Sequence, residues 1–324
     1  IQYRSLRKAL SSFAGVEGSR IFPGNGAVDV IYRSIQASGA GIVLIAAPAF
    51  SEYRKGAANG GIPWEELPLQ DVESGTLRLQ ETLERIRENR KKRPLLILCN
   101  PNNPSGGMTT KKELKLLAKT LAACDGKLLI DEAFIEFVRG YPEDSFSKEL
   151  IRFPNVLVVR AITKFFGMPG IRLGYGMTHD AEWLARIMEK EEPWCINSFA
   201  ELAAKTVLQD QDYIARTRNW LFTERETFRK ALEETGWLQV YPSEGDFFLC
   251  RIRKEQFSLD TDELYEELLL KDILIRKAEG FHGLPGDRKE FFRLAVKDAP
   301  SNMRMIEALN AIGREGVRNR EEKG

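Results

Sequence analysis

The chain has 324 residues, 43% of them hydrophobic and 29% charged, and 48 Lys/Arg against 47 Asp/Glu leave a net charge of +1. That length and apolar content suit one large or two moderate domains, and the interspersed charges argue against a nucleic-acid or membrane surface. The 4 cysteines are widely spaced and form no Cys-x-x-Cys pair, and with only 2 histidines no metal site is expected. A reduced, cytoplasmic protein is the simplest reading. No apolar run reaches the ~18 residues of a membrane span, and the opening residues do not read as a signal peptide.

Leu6, Leu10, Phe13 and Ala14 fall at helical spacing over residues 4–14. Pro23-Gly24-Asn25-Gly26-Ala27 then opens a second amphipathic helix over 28–37. Free N–H groups and the helix dipole at such a turn suit an anion, although most such turns are only turns. Residues 41–48 are a continuous apolar run of the kind a doubly covered strand shows. Just past it, the ring of Phe50 either packs or lies on a flat ligand. A short strand is expected within 64–79 and a helix over 81–89. Residues 94–99 read as another buried strand, broken by the turn-forming loop Asn100-Pro101-Asn102-Asn103-Pro104-Ser105-Gly106 with its side-chain amides.

A helix over 111–124 leads to a strand over 127–130 that closes on Asp131. An acid at the carboxyl end of a buried strand sits where open α/β sheets place their ligands. The strand over 156–160 delivers Thr163 and Lys164, with Arg172 beyond them and a further strand over 173–177. Lys164 lies among apolar residues, and desolvation together with a nearby cation favours a neutral, nucleophilic amine. Arg172 and the Thr163 hydroxyl suit a phosphate; the plain alternative is a loop with one solvated lysine. Short apolar runs alternating with helices predict an α/β fold with a mainly parallel sheet, so these loops share one edge.

After Asp180 helices are expected over 182–192, 199–208 and 212–235. Strands over 239–241, 247–251, 273–276 and 291–296, with helices over 261–271 and 302–312, then read as a smaller α+β domain. The expected division is a large domain over 22–212 and a small one from 1–21 and 213–324. Arg276 and Arg293 stand near strand ends, placed either to clamp acidic groups bidentately or to form surface salt bridges.

The loop 100–106, Asp131-Glu132-Ala133-Phe134, Thr163-Lys164 and Arg172-Leu173-Gly174-Tyr175, in this order and spacing, resemble the fold-type I pyridoxal-phosphate enzymes of the histidinol-phosphate aminotransferase-like branch. Pro193-Trp194-Cys195-Ile196-Asn197, Val207-Leu208-Gln209-Asp210 and Ile273-Leu274-Ile275-Arg276 are similar to the threonine-phosphate decarboxylases of cobalamin biosynthesis within that branch. The resemblance spans nearly the whole chain. It implies pyridoxal phosphate held covalently by Lys164, with Asp131 on the ring nitrogen, Asn103 on the phenolic oxygen and Phe50 stacked on the ring. It implies a phosphate bound by the backbone of Gly26 and Ala27, the Thr163 hydroxyl and Arg172. It assigns Asn197, Arg276 and Arg293 to a small phosphorylated amino-acid substrate.

The implied reaction is decarboxylation of O-phospho-L-threonine to (R)-1-aminopropan-2-yl phosphate and CO₂. Histidinol-phosphate transamination is the alternative, and phosphoserine decarboxylation a third. The resemblance further implies a homodimer with active sites at its interface. Three departures stand out. Ala161 takes the place of a phosphate-binding hydroxyl, and Phe134 stands where the aminotransferase branch carries a tyrosine. The N-terminal arm of the relatives, with a Tyr-Pro element reaching the neighbouring subunit, is expected to precede the segment on which this sequence opens.

Overall fold

The computed structural model describes residues 3–321; the outer ends of the expected small domain, residues 1–2 and 322–324, lie outside them. The first strands are β1 (Ile21–Asn25), β2 (Ile42–Ala46), β3 (Trp64–Leu67), the hairpin β4 (Gln70–Asp71) and β5 (Thr76–Leu77), and β6 (Pro94–Cys99). Then come β7 (Lys127–Asp131), β8 (Val156–Ala161), β9 (Leu173–Thr178), β10 (Leu238–Val240), β11 (Phe247–Ile252), β12 (Arg276–Lys277) and β13 (Phe291–Ala295). The helices are α1 (Arg4–Ala14), α2 (Ala27–Gln36), α3 (Glu52–Asn59), α4 (Leu79–Glu88), α5 (Lys111–Ala122) and the short α6 (Ile162–Phe165). They continue with α7 (Ala181–Glu189), α8 (Ser198–Val207), α9 (Gln211–Glu233), α10 (Thr261–Leu269) and α11 (Ala299–Glu321).

Every residue of β2, β6 and β8 is buried, and all of β7 but its first. Strands apolar on both faces need helices on both faces, which is the parallel-sheet solution. The large sheet has 7 strands in the order β1-β9-β8-β7-β6-β2-β3. Pairs β2/β3, β2/β6, β6/β7 and β7/β8 are parallel, and only β9 runs against its neighbours. The carboxyl ends of β1, β2, β6, β7 and β8 therefore share an edge with the start of β9. The register makes this concrete: Asn25 pairs with Leu173, Ala161 with Gly174, and Cys99 with Asp131. A second, antiparallel sheet of 4 strands, β10-β11-β13-β12, lies C-terminal to α9.

Three elements depart from the sequence reading. β1 carries Pro23 and Gly24 inside a strand, which an edge position tolerates because the missing N–H faces no partner. A side chain at Gly24 would meet Asp29 and Val30 at 2.6 Å. The strand expected at 273–276 shortens to Arg276–Lys277, because Ile273 donates its N–H to Leu268 and closes α10 instead. α1, grouped with the small domain above, lies against β1 and α8 with Leu6, Leu10 and Ala14 buried.

Beneath the shared edge lies a buried charge network. Arg160 of β8 donates to Glu132 at 3.2 Å, Ser145 at 2.7 Å, Glu136 at 3.4 Å and the Tyr141 hydroxyl at 3.1 Å. Arg218 of α9 donates to the carbonyls of Glu136, Val138 and Arg139 at 3.0–3.2 Å, tying the long helix to the loop after β7. Burial outweighs the Arg160 charge and pushes the Glu136 carboxyl up to about 7. A raised folded-state value means the native state holds the extra proton between the ordinary carboxyl range and about 7, so stability falls as pH rises through that window. Glu136→Gln is expected to remove roughly 1–3 kcal/mol of this fall between pH about 5 and about 8, measured by urea denaturation; an unchanged slope would refute the assignment.

Candidate active site

A cavity of about 400 Å³ opens at the shared edge, within the range of small-molecule sites. It brings together Ala27, Phe50, Asn103, Asp131, Thr163, Lys164, Arg172, Arg276 and Arg293, from loops far apart in the chain. Ala161, Phe134, Tyr53, Val28, Ile31 and Phe281 complete the parts of its wall that matter below. A larger cleft of about 950 Å³ between α1, α8 and α9 contains none of the expected site residues.

Lys164 sits on α6 and is exposed, which corrects the expected desolvation of its amine. Its neighbours Ile162, Thr163 and Phe165 turn inward, while the amine stands 5.6 Å from the centroid of the Phe134 ring. Phe134 in turn meets Phe247 edge-on at 5.1 Å. Asp131 ends β7 and is 4% exposed. Its Oδ2 accepts from the Tyr53 hydroxyl at 2.7 Å and its Oδ1 from the Ala133 N–H at 3.0 Å. Burial raises the Asp131 carboxyl above its ordinary range, while the Tyr53 hydroxyl, the Ala133 amide and the Lys164 charge oppose the rise.

The anion-binding end rests on two backbone singularities. Gly26 has φ +81° and Arg172 has φ 54°, and a Cβ on Gly26 would lie 2.3 Å from Arg172 Nη2. Only glycine lets the guanidinium lie across that turn. The Gly26 N–H is donated to the Gly24 carbonyl at 2.7 Å. Any anion here is therefore left the first-turn amides of α2, from Ala27 and Val28, which lack intrahelical partners.

On the opposite wall Arg276 and Arg293 stand directly across from each other in the β12/β13 pair. Arg293 donates to Asn103 Oδ1 and lies 4.8 Å over the Phe247 ring. Among the described residues neither arginine, nor Lys164 or Arg172, has a salt-bridge partner within 4 Å. Asn197 is not in this wall: it caps α8 by accepting from the Ala200 N–H at 2.8 Å and donates to the Ile171 carbonyl at 3.2 Å.

Sequence reading missed several neighbours. Tyr53 gave a signal only as the aromatic three residues after Phe50. Phe281 is fixed by its loop, where His282 Nδ1 lies 2.7 Å from Glu66 Oε2 and Gly283 packs against Ala47 and Pro48. Asp246, before β11, has a buried Oδ1 without a hydrogen-bond partner and a carboxyl raised by burial against the Arg293 and Lys164 charges; nothing in its local sequence marks it.

The chain matches the aminotransferase class I and II family over residues 1–312. It belongs to that family. It is 36% identical over 98% of its length, and 83% of the relative, to a protein of Caldanaerobacter subterraneus subsp. tengcongensis with the provisional name threonine-phosphate decarboxylase. It is 31% identical over 96% of its length, and 81% of the relative, to threonine-phosphate decarboxylase of Salmonella typhimurium. The crystal structure of the histidinol-phosphate aminotransferase from Clostridium acetobutylicum superposes with a TM-score of 0.88 at 34% identity, covering 97% of this chain and 89% of that one.

Members of the family are pyridoxal-phosphate enzymes, and so is this chain. The cavity fits that group: a buried carboxylate stands at one wall, an aromatic ring at another, and cations outside any salt bridge among the described residues line both ends. Among the described residues no helix is long and apolar enough to cross a membrane. Gly26→Ala drives a methyl into Arg172 at a φ that L-residues adopt with strain. It is expected to weaken pyridoxal-phosphate binding by roughly fivefold to 150-fold in equilibrium dialysis, for roughly 1–3 kcal/mol of strain and lost contact; unchanged affinity would remove Arg172 from the anion site.

Proposed function

We propose that the protein decarboxylates O-phospho-L-threonine, yielding (R)-1-aminopropan-2-yl phosphate and CO₂ for cobalamin biosynthesis. The observation that carries the substrate class is the cross-strand pair Arg276 and Arg293, two guanidinium groups outside any salt bridge among the described residues and facing the cavity that holds Lys164. The choice of decarboxylation rests on the Phe134 ring beside that lysine. Like charges directly opposite in a sheet cost stability unless an anion joins them, and the phosphate of a phosphorylated amino acid is such an anion. The names of the Caldanaerobacter and Salmonella relatives support decarboxylation over other uses of such a site.

In this reading Lys164 holds the cofactor, Asp131 faces its ring nitrogen, Asn103 its phenolic oxygen and Phe50 its ring face. Thr163, Arg172 and the α2 amides, with Gly26 leaving room for Arg172, take its phosphate. Bound pyridoxal phosphate supplies an electron-withdrawing ring that accepts the electron pair freed at Cα. Arg276 and Arg293 fix the far end of the substrate, and Asn103 is itself held by Arg293. The Cα–carboxylate bond breaks, CO₂ leaves, and Cα takes one proton from Lys164 Nζ, which solvent restores. A carboxylate that departs as neutral CO₂ is helped by apolar surroundings, and Phe134 presents a ring without a hydroxyl beside Lys164.

The homodimer implied by the resemblance belongs to the same proposal. Trp194, Phe199 and Leu202, which are 76%, 77% and 61% exposed around the Asn197 cap, offer it an apolar surface.

Incubation with phosphothreonine is expected to release CO₂ in step with aminopropanol phosphate, and Lys164→Ala to abolish both the release and the visible absorbance of bound cofactor. Transamination of histidinol phosphate with 2-oxoglutarate, in the absence of CO₂, would overturn the reading in favour of the aminotransferase. Phosphoserine is expected to react more slowly by roughly tenfold to a hundredfold, the worth of one methyl in a pocket. Ala161 lines the cavity at the end of β8 without a hydroxyl to offer. Ala161→Ser is expected to tighten pyridoxal-phosphate binding by about 1–3 kcal/mol, the worth of one hydrogen bond to a charged group. Dialysis constants that do not move would place the phosphate elsewhere.

A further inference from the structure

Tyr53 lies in the first turn of α3, fully buried, and touches two parts of the site at once. Its hydroxyl donates to Asp131 Oδ2 at 2.7 Å, and its ring meets Phe50 edge-on with centroids 5.9 Å apart at 88°. A phenol has two side-chain torsions and no freedom in this packed position, so acid and aromatic are joined through a single stiff link. The groups facing Asp131 come from every element around it. They are Tyr53 from α3, Cys99 from the adjacent register position of β6, Lys164 from α6 and Glu132 next in its own chain.

Of these, Glu132 and burial disfavour the carboxylate, while Lys164 and the Ala133 amide favour it. Among the described residues Tyr53 is the one neutral side chain that donates to it. The phenol stays a donor, because burial and the Asp131 charge both raise it far above its ordinary value.

We propose that Tyr53 is a positioning residue, fixing the Asp131 carboxylate and the Phe50 ring as one rigid unit around the cofactor ring. The inference rests on the reading of Asp131 as the partner of the ring nitrogen. It adds that this unit is ordered by the protein's own contacts, through a residue whose hydroxyl is taken up by Asp131 and whose ring is set against Phe50.

The test titrates cofactor-free full-length protein with pyridoxal phosphate across pH, by equilibrium dialysis, for the parent, Tyr53→Phe, Tyr53→Leu and Asp131→Asn. Removing the hydroxyl takes a donor from the charged form of Asp131, so its folded-state value rises. Tyr53→Phe is therefore expected to bind about tenfold more weakly, the worth of one hydrogen bond to a charged group, and to lose affinity at a higher pH on acidification. Its kcat falls while KM for substrate stays within about twofold, since the substrate clamp is intact. Tyr53→Leu, which also frees Phe50, binds more weakly still.

Parent affinity and an unmoved acid limb in Tyr53→Phe would overturn the proposal if Asp131→Asn weakens binding. If Asp131→Asn also leaves affinity and the visible absorbance unchanged, the reading of Asp131 itself falls, and this inference with it. Should Tyr53→Phe fail to fold, 3-fluorotyrosine at position 53 keeps the ring and donates more strongly. The acid limb then moves to lower pH, and a limb that stays or moves upward refutes the link.

Discussion

Four cations in one cavity, none of them in a salt bridge among the described residues, set the terms for the rest of the molecule. Lys164 and Arg172 approach from the large sheet, and Arg276 and Arg293 from the small one. Unit charges a few ångströms apart repel by several kcal/mol where water is partly excluded, and a cross-strand arginine pair adds its own penalty. Such an arrangement is at odds with stability alone, as functional sites commonly are. It makes sense when anionic groups arrive to occupy it, and the two ends of the cavity divide that work between them.

The sheet is what permits the crowding. Five strand ends and the start of the reversed β9 meet at one edge, so residues from loops a hundred or more positions apart arrive with fixed backbones. The closest approaches need glycine. Gly26 leaves room for the Arg172 guanidinium, and a Cβ on Gly174 would stand 2.4 Å from the Ala27 nitrogen. Behind the edge, Arg160 braces the loops after β7 from the same strand that delivers Lys164. That network has its own cost, since Glu136 is held in an environment where its charge is disfavoured. Rigid support for the site is thus obtained from burial that is unfavourable in isolation.

What could be read in advance follows from how local each cause is. The buried runs of β2, β6, β7 and β8 are contiguous, and their loops carry turn residues, so a parallel sheet with one functional edge was visible in the order of residues. β1 was hidden because Pro23 and Gly24 read as a turn, and only its edge position against β9 makes a strand of them. The strand expected at 273–276 was mostly a helix cap, an outcome settled by one N–H from Ile273 to Leu268. Lys164 was expected to be desolvated by its apolar neighbours. On a one-turn helix those neighbours point into the core and leave the lysine outside it. The tie between Tyr53 and Asp131 spans 78 positions and depends on strand order, so no local pattern announces it.

Counting arginines does not separate the two chemistries open to such a site, since a transaminase and a decarboxylase both need a clamp. The distinction lies in what surrounds the group that is to leave. A carboxylate gripped by guanidinium is stabilised as an anion and resists becoming CO₂, whereas one held toward an apolar wall loses little on departing. In this cavity Arg276 and Arg293 stand on the β12/β13 side and Arg172 at the Gly26 turn, while Lys164 looks onto Phe134, itself packed on Phe247. In the proposed function, a substrate whose phosphate takes the arginine side would leave its carboxylate to the phenylalanine side. Arg293 stands over Phe247 and binds Asn103, so the charged clamp and the apolar wall are mechanically one piece. In the proposed reaction, a phosphate seated on that clamp would thereby set the orientation of the Cα–carboxylate bond.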